Sequence, residues 1–138
     1  MKFQTTTAGF LLVLDRGEEI IASLTEFAQQ QHIRSGCFSG IGAVENTTLA
    51  YYDLDLKKYL TREFPERMEL VSLNGNFALL NGKPFGHCHV TISGRDYVSY
   101  AGHLMKATIS ATGEIYIIVT TNEVVRGPDA VTGLNLIQ

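Results

Sequence analysis

Only one stretch of this chain repeats its apolar residues at helical spacing. Ile20, Ile21, Leu24, Phe27 and Ala28 would line a single helix face. Glu18 and Glu19 fall in the first turn of that helix, where negative charge suits the dipole. Gln29-Gln30-Gln31-His32 is its polar exit, with His32 exposed to solvent or partnering the C-terminal dipole. From Gly36 onward the period changes to two, so the remainder has to build sheet.

Before the helix, Phe10-Leu11-Leu12-Val13-Leu14 is a continuous apolar run stopped by Asp15-Arg16-Gly17, which predicts a buried strand. After it, Gly36–Val44 reads as a glycine-punctuated strand. Thr47–Tyr52 and Tyr59–Phe64 read as a hairpin around Asp53-Leu54-Asp55. Met68–Asn76 is a further strand, closed by Asn74-Gly75-Asn76. Phe77–Leu80 runs into the strong turn signal Asn81-Gly82-Lys83-Pro84. His87–Ser93 alternates cleanly, with His87, His89, Thr91 and Ser93 on one face and Cys88, Val90 and Ile92 on the other. Gly94-Arg95-Asp96 turns the chain into Tyr97–Leu104, and Ile115–Thr120 is a last apolar strand. The tail from Glu123 reads as mostly loop, with a short Leu134-Asn135-Leu136 segment. One helix and seven to nine strands make an α+β fold with a curved, largely antiparallel sheet. Glycines at 40, 42, 75, 86, 94 and 102 allow the bulges that curvature needs.

At 138 residues the chain is expected to form one domain, 1–138. A hydrophobic fraction of 45% excludes a disordered chain, and a net charge of −3 excludes a whole-surface basic field for nucleic acid. The longest apolar run, Gly9–Leu14, is far short of the ~20 residues of a membrane helix. The first residues have no secretory layout, so a cytoplasmic protein with no membrane partner is expected. Cys37 and Cys88 are too few for a disulfide framework, and both read as buried free thiols on strands.

The chemistry-bearing pattern is His87-Cys88-His89 together with His103. An H-x-H pair on a strand points both imidazoles to one face, about 6–7 Å apart at the backbone, so both can reach one ion. If Thr91–Leu104 folds as a hairpin, His103 returns beside them. Three imidazoles plus a water are a common zinc arrangement that nickel, copper or iron also accepts. The same spacing also describes a plain polar face with packed histidines, and spacing alone leaves both readings open. Glu45, Glu63 and Glu114 are candidate fourth groups, while Arg62 and Arg95 are candidates for holding an anion. No residue is assigned a catalytic role. There is no G-x-S-x-G elbow, and Gly40-Ile41-Gly42 lacks the third glycine and the helix of a dinucleotide loop.

Five motifs in order resemble the PPC (plants and prokaryotes conserved) domain family. They are Ser39–Val44, Tyr51-Tyr52-Asp53, Glu69–Asn76, Pro84–Val90 and Gly102-His103-Leu104, and the resemblance runs from Phe10 to Thr121. It implies a compact α+β fold assembled as a homotrimer, similar in overall fold to acetolactate decarboxylase and to a zinc-dependent ester hydrolase. The resemblance to the stand-alone prokaryotic branch also implies that His87, His89 and His103 form a divalent-metal site, zinc foremost, with a small molecule as its ligand. DNA is the family's usual partner label. In plants, groove contact belongs to an Arg-Gly-Arg-Pro hook, which this chain lacks.

Overall fold

The computed structural model describes residues 1–138. The apolar run becomes strand β2 (Gly9–Asp15), paired antiparallel with β1 (Lys2–Thr6). Helix α1 (Ile20–Gln30) follows. Glu19 is its N-cap and accepts from the Ala22 N–H at 2.7 Å. The acidic pair therefore sits just ahead of the first turn, where a side chain can satisfy an orphan N–H. At the other end His32, exposed as expected, takes a left-handed φ of 54°, and the Ile33 N–H closes back onto the Ala28 carbonyl at 2.8 Å.

Strands β3 (Gly36–Asp53), β4 (Lys58–Phe64), β5 (Met68–Leu80), β6 (Lys83–Ser93), β7 (Ser99–Val119), β8 (Val125–Pro128) and β9 (Asn135–Ile137) complete one nine-stranded sheet. Its path is β1-β2-β7-β3-β5-β8-β9, while β4 pairs with β3, and β6 pairs with both β5 and β7. The pairings β3–β5, β5–β6, β6–β7 and β7–β3 close a ring, so the sheet curls on itself. Register shifts between Gly40 and Gly42 supply part of that bend. A Cβ on Gly42 would lie 2.2 Å from the Thr112 carbonyl oxygen, so only glycine lets β3 and β7 approach this closely.

The structure corrects several boundaries. Gly36–Val44 and Thr47–Tyr52 are one strand, interrupted by a bulge at Asn46 with φ 52°. Ser99–Leu104 and Ile115–Val119 are likewise parts of the single strand β7, carried between them by the buried Ala107 and Ile109, while Tyr97, with φ 61°, and Val98 stay in the turn and Thr120 lies past the strand's end. Asn74-Gly75-Asn76 does not end a strand. β5 runs through it because the missing Cβ of Gly75 makes room for the Phe38 ring rather than for a turn. The Asn81-Gly82 signal is a two-residue hairpin loop, with φ of 52° and 75°.

The core is a cluster of 23 buried residues that includes Leu24 and Phe27 of α1, Leu70, Leu73 and Phe77 of β5, and Val90 and Ile92 of β6. Burying each of the two large α1 side chains contributes about 1.5–3 kcal/mol. Phe27 also meets Phe3 and Phe10 edge-on, at 5.2 Å between centroids in each case. Cys88 is buried as expected, but Cys37 is exposed. Cys37 precedes Phe38 on β3, and Phe38 takes the inward side of the alternation.

Candidate functional site

Two neighbouring strands bring the histidines together. The alternation of β6 holds with Cys88, Val90 and Ile92 buried, which leaves His87 and His89 on the opposite face. The turn after Ser93 sends β7 back antiparallel, and His103 lies directly across from His89. The hairpin condition is therefore met. One ring nitrogen from each of the three imidazoles lies within 4.8 Å of the others. His87 Nε2 and His103 Nδ1 are 3.1 Å apart and share a hydrogen. Tyr59 of β4 stacks on the His103 ring at 5.0 Å with 22° between planes, and Tyr52 packs edge-on against Tyr59.

Burial keeps the His87 and His103 rings uncharged. Burial, reinforced by the charges of His103, Arg126 and His89, pushes His87 down to about 4. Burial, with His89 beside it, also lowers His103 below the usual imidazole value. At neutral pH both rings are neutral and hold lone pairs, the state a metal ligand requires. Around tetrahedral zinc, bonds of about 2.0–2.1 Å place ligand nitrogens roughly 3.3 Å apart. The 3.1 Å pair is near that spacing, and the third nitrogen is within a small side-chain adjustment of it. The residues present fit a divalent ion.

A half-open cavity of about 400 Å³ adjoins the cluster, with His87 and His103 in its wall beside Tyr59, Phe85, Leu104 and Arg126. The carboxylates proposed from sequence do not reach it. Glu45 accepts from Arg67 Nε at 3.1 Å. Glu63 is exposed on β4, four residues along from Tyr59, and Glu114 is opposite Ile41 and Val13. Neither candidate arginine lines the cavity. Arg62 lies over the rings of Phe64 and Tyr100, at 4.8 and 4.5 Å, and Arg95 is exposed in the turn between β6 and β7. The arginine in the wall is Arg126, from the tail read as loop. It gets there because β8 adds in parallel to the end of β5, with Arg126 across from Leu80. Gly127-Pro128 after it masked the strand in sequence, and no local alternation announced it.

The Plants and Prokaryotes Conserved (PCC) domain model matches residues 1–121. No curated protein matches the chain at a significant level. Among solved structures, a metal-containing protein from Archaeoglobus fulgidus is 35% identical, with 99% of this chain and 96% of that one covered and a TM-score of 0.88. A plant- and prokaryote-conserved (PPC) protein from Pyrococcus horikoshii is 27% identical over 99% and 94% of the two chains, with a TM-score of 0.89. A protein from Bacteroides thetaiotaomicron, provisionally designated DNA-binding, is 28% identical over 99% and 96%, with a TM-score of 0.96. On the family match, carried by the same strands that hold the histidine cluster, the chain belongs to the Plants and Prokaryotes Conserved domain family.

Proposed function

We propose that this protein is a cytoplasmic, homotrimeric PPC-domain protein in which His87, His89 and His103 hold a divalent metal ion, zinc foremost. The observation that carries this reading is the convergence of three imidazole nitrogens within 4.8 Å, next to a cavity with room for a small ligand. The metal-containing designation of the Archaeoglobus relative, 35% identical, supports it. A bound ion would supply Lewis acidity to an oxygen coordinated beside the three nitrogens. Strands β8 and β9 pair onto the common sheet beyond residue 121, which supports taking 1–138 as one domain. Exposed apolar side chains on the sheet, Tyr51 beside Leu60 and Ile41 near Val71 among them, support an assembly that covers them. The DNA-binding designation belongs to the Bacteroides relative. A net charge of −3 lends such a role no electrostatic support in this chain.

Elemental analysis of untagged protein purified without chelator tests the metal reading. Near-stoichiometric zinc or another transition metal is expected, and its loss in the His87→Ala/His89→Ala variant. No metal in either protein after incubation with zinc would make the histidines packing residues.

A further inference from the structure

Arg126 is a buried cation without a counter-charge. Its side chain is in the cavity wall and the residue is 8% exposed. No carboxylate pairs with it in any ion pair of the structure. Nη1 donates to the Asn135 carbonyl at 3.1 Å, and Nη2 donates to Asn76 Oδ1 at 2.9 Å. Nη2 also faces His87 Nδ1 at 3.4 Å, while Nε is buried with no acceptor. These partners are neutral, so the unit charge stays uncompensated in a place where an unpaired charge is costly. The chain has 14 acidic residues, and none of them lines this cavity. The rest of the wall is largely apolar, with Leu80, Phe85, Leu104 and Leu134.

We propose that the cavity binds a small monocarboxylate with an apolar tail, its carboxylate on Arg126 and its tail against the apolar wall. A single guanidinium balances one negative charge, which favours a monoanion over a phosphate dianion. The apolar surroundings favour an organic acid over an inorganic ion. A second argument rests on the metal reading. If His87 gives Nε2 to an ion, its hydrogen moves to Nδ1, which then faces Arg126 Nη2 donor to donor. A carboxylate placed there accepts from both, as carboxylates commonly do from the free N–H of metal-bound imidazoles. Arg126 lies beyond residues 1–121, so the family match does not supply this assignment.

The test is titration calorimetry of the full chain with isovalerate, its neutral amide isovaleramide, and inorganic phosphate, on chelator-treated and zinc-loaded protein. Isovalerate is expected to bind the chelator-treated protein at least about tenfold more tightly than the amide, and more tightly than phosphate. Arg126→Gln should remove the preference for acid over amide, and Arg126→Lys should keep part of it. The acid-against-amide comparison needs no variant, so it stands even if Arg126→Gln folds poorly. Equal binding of acid and amide, binding of neither, tighter binding of phosphate, or a preference that survives in folded Arg126→Gln would each overturn the proposal. The two readings also separate. Acid preference in a protein that never takes up zinc supports the carboxylate site and removes the metal. Zinc uptake with acid and amide bound alike does the reverse.

Discussion

At the scale of single residues, His87 links the site to pH. Its folded value of about 4 lies below that of an exposed imidazole, chiefly because burial disfavours the charged ring. Well above about pH 6.5 the ring is neutral in both folded and unfolded chains and contributes no pH dependence. As pH falls from there toward 4, the unfolded chain takes up a proton that the folded chain refuses, so stability falls across that window. His103 acts in the same direction. The ring is partly exposed, so solvent screening makes the loss smaller than the full shift implies. In chelator, the melting temperature should drop between about pH 7 and about pH 4.5, and drop less in His87→Gln, which has no titrating ring at that position. Parallel curves for the two proteins would show that another group controls the acid limb. The cysteines contrast with this. Burial pushes the Cys88 thiol up to about 12, which leaves it inert, whereas Cys37 is exposed to solvent.

At the scale of elements, the site depends on how closely β5 pairs beside β6. A Cβ on Gly75 would meet the Phe38 ring at 2.4 Å and the His87 carbonyl oxygen at 2.5 Å. Gly75→Ala should therefore cost about 1–3 kcal/mol in urea unfolding and weaken metal retention, since the strand carrying His87 has to shift. Gly86→Ala is the matched control, because its Cβ would only touch Phe77 at an ordinary 3.5 Å. A Gly75 variant as stable as the Gly86 variant would remove close strand packing as the reason for that glycine. Elements were legible in sequence where the signal was local. The helical face, the Asn81-Gly82 hairpin and the alternation that aligns His87 with His89 all rest on neighbours in the chain. The continuity of β3 and β7 was hidden, because a left-handed Asn46 and the small or polar residues around Ile109 in 106–113 look like breaks when read locally. Arg126 was illegible for a related reason. Its position comes from a parallel pairing with residues far back in the chain, and sequence pattern does not specify such pairings.

At the scale of the whole molecule, the curled sheet hides its core but leaves apolar residues outside. Tyr51 is 69% exposed, and Ile41 and Tyr116 are each more than half exposed. Burying several such side chains is favourable at about 25 cal/mol per Å² of apolar surface, which gives assembly a driving force. The number three is only what the resemblance to the family implies. Sedimentation at micromolar concentration should give a species three times the 15.2 kDa chain mass, and Tyr51→Glu with Ile41→Glu should shift it toward the monomer. A wild-type monomer under the same conditions would contradict the trimer. The route by which β8 reaches the cavity also implies an order of events. His87, His89 and His103 belong to one hairpin, so a short loop closure brings the imidazoles together early in folding. Arg126 joins only when the end of the chain docks on the rim of β5, a contact between distant segments that forms slowly. The histidine half of the cavity thus rests on a local closure and its cationic half on a long-range one, so the two halves are products of different kinds of contact.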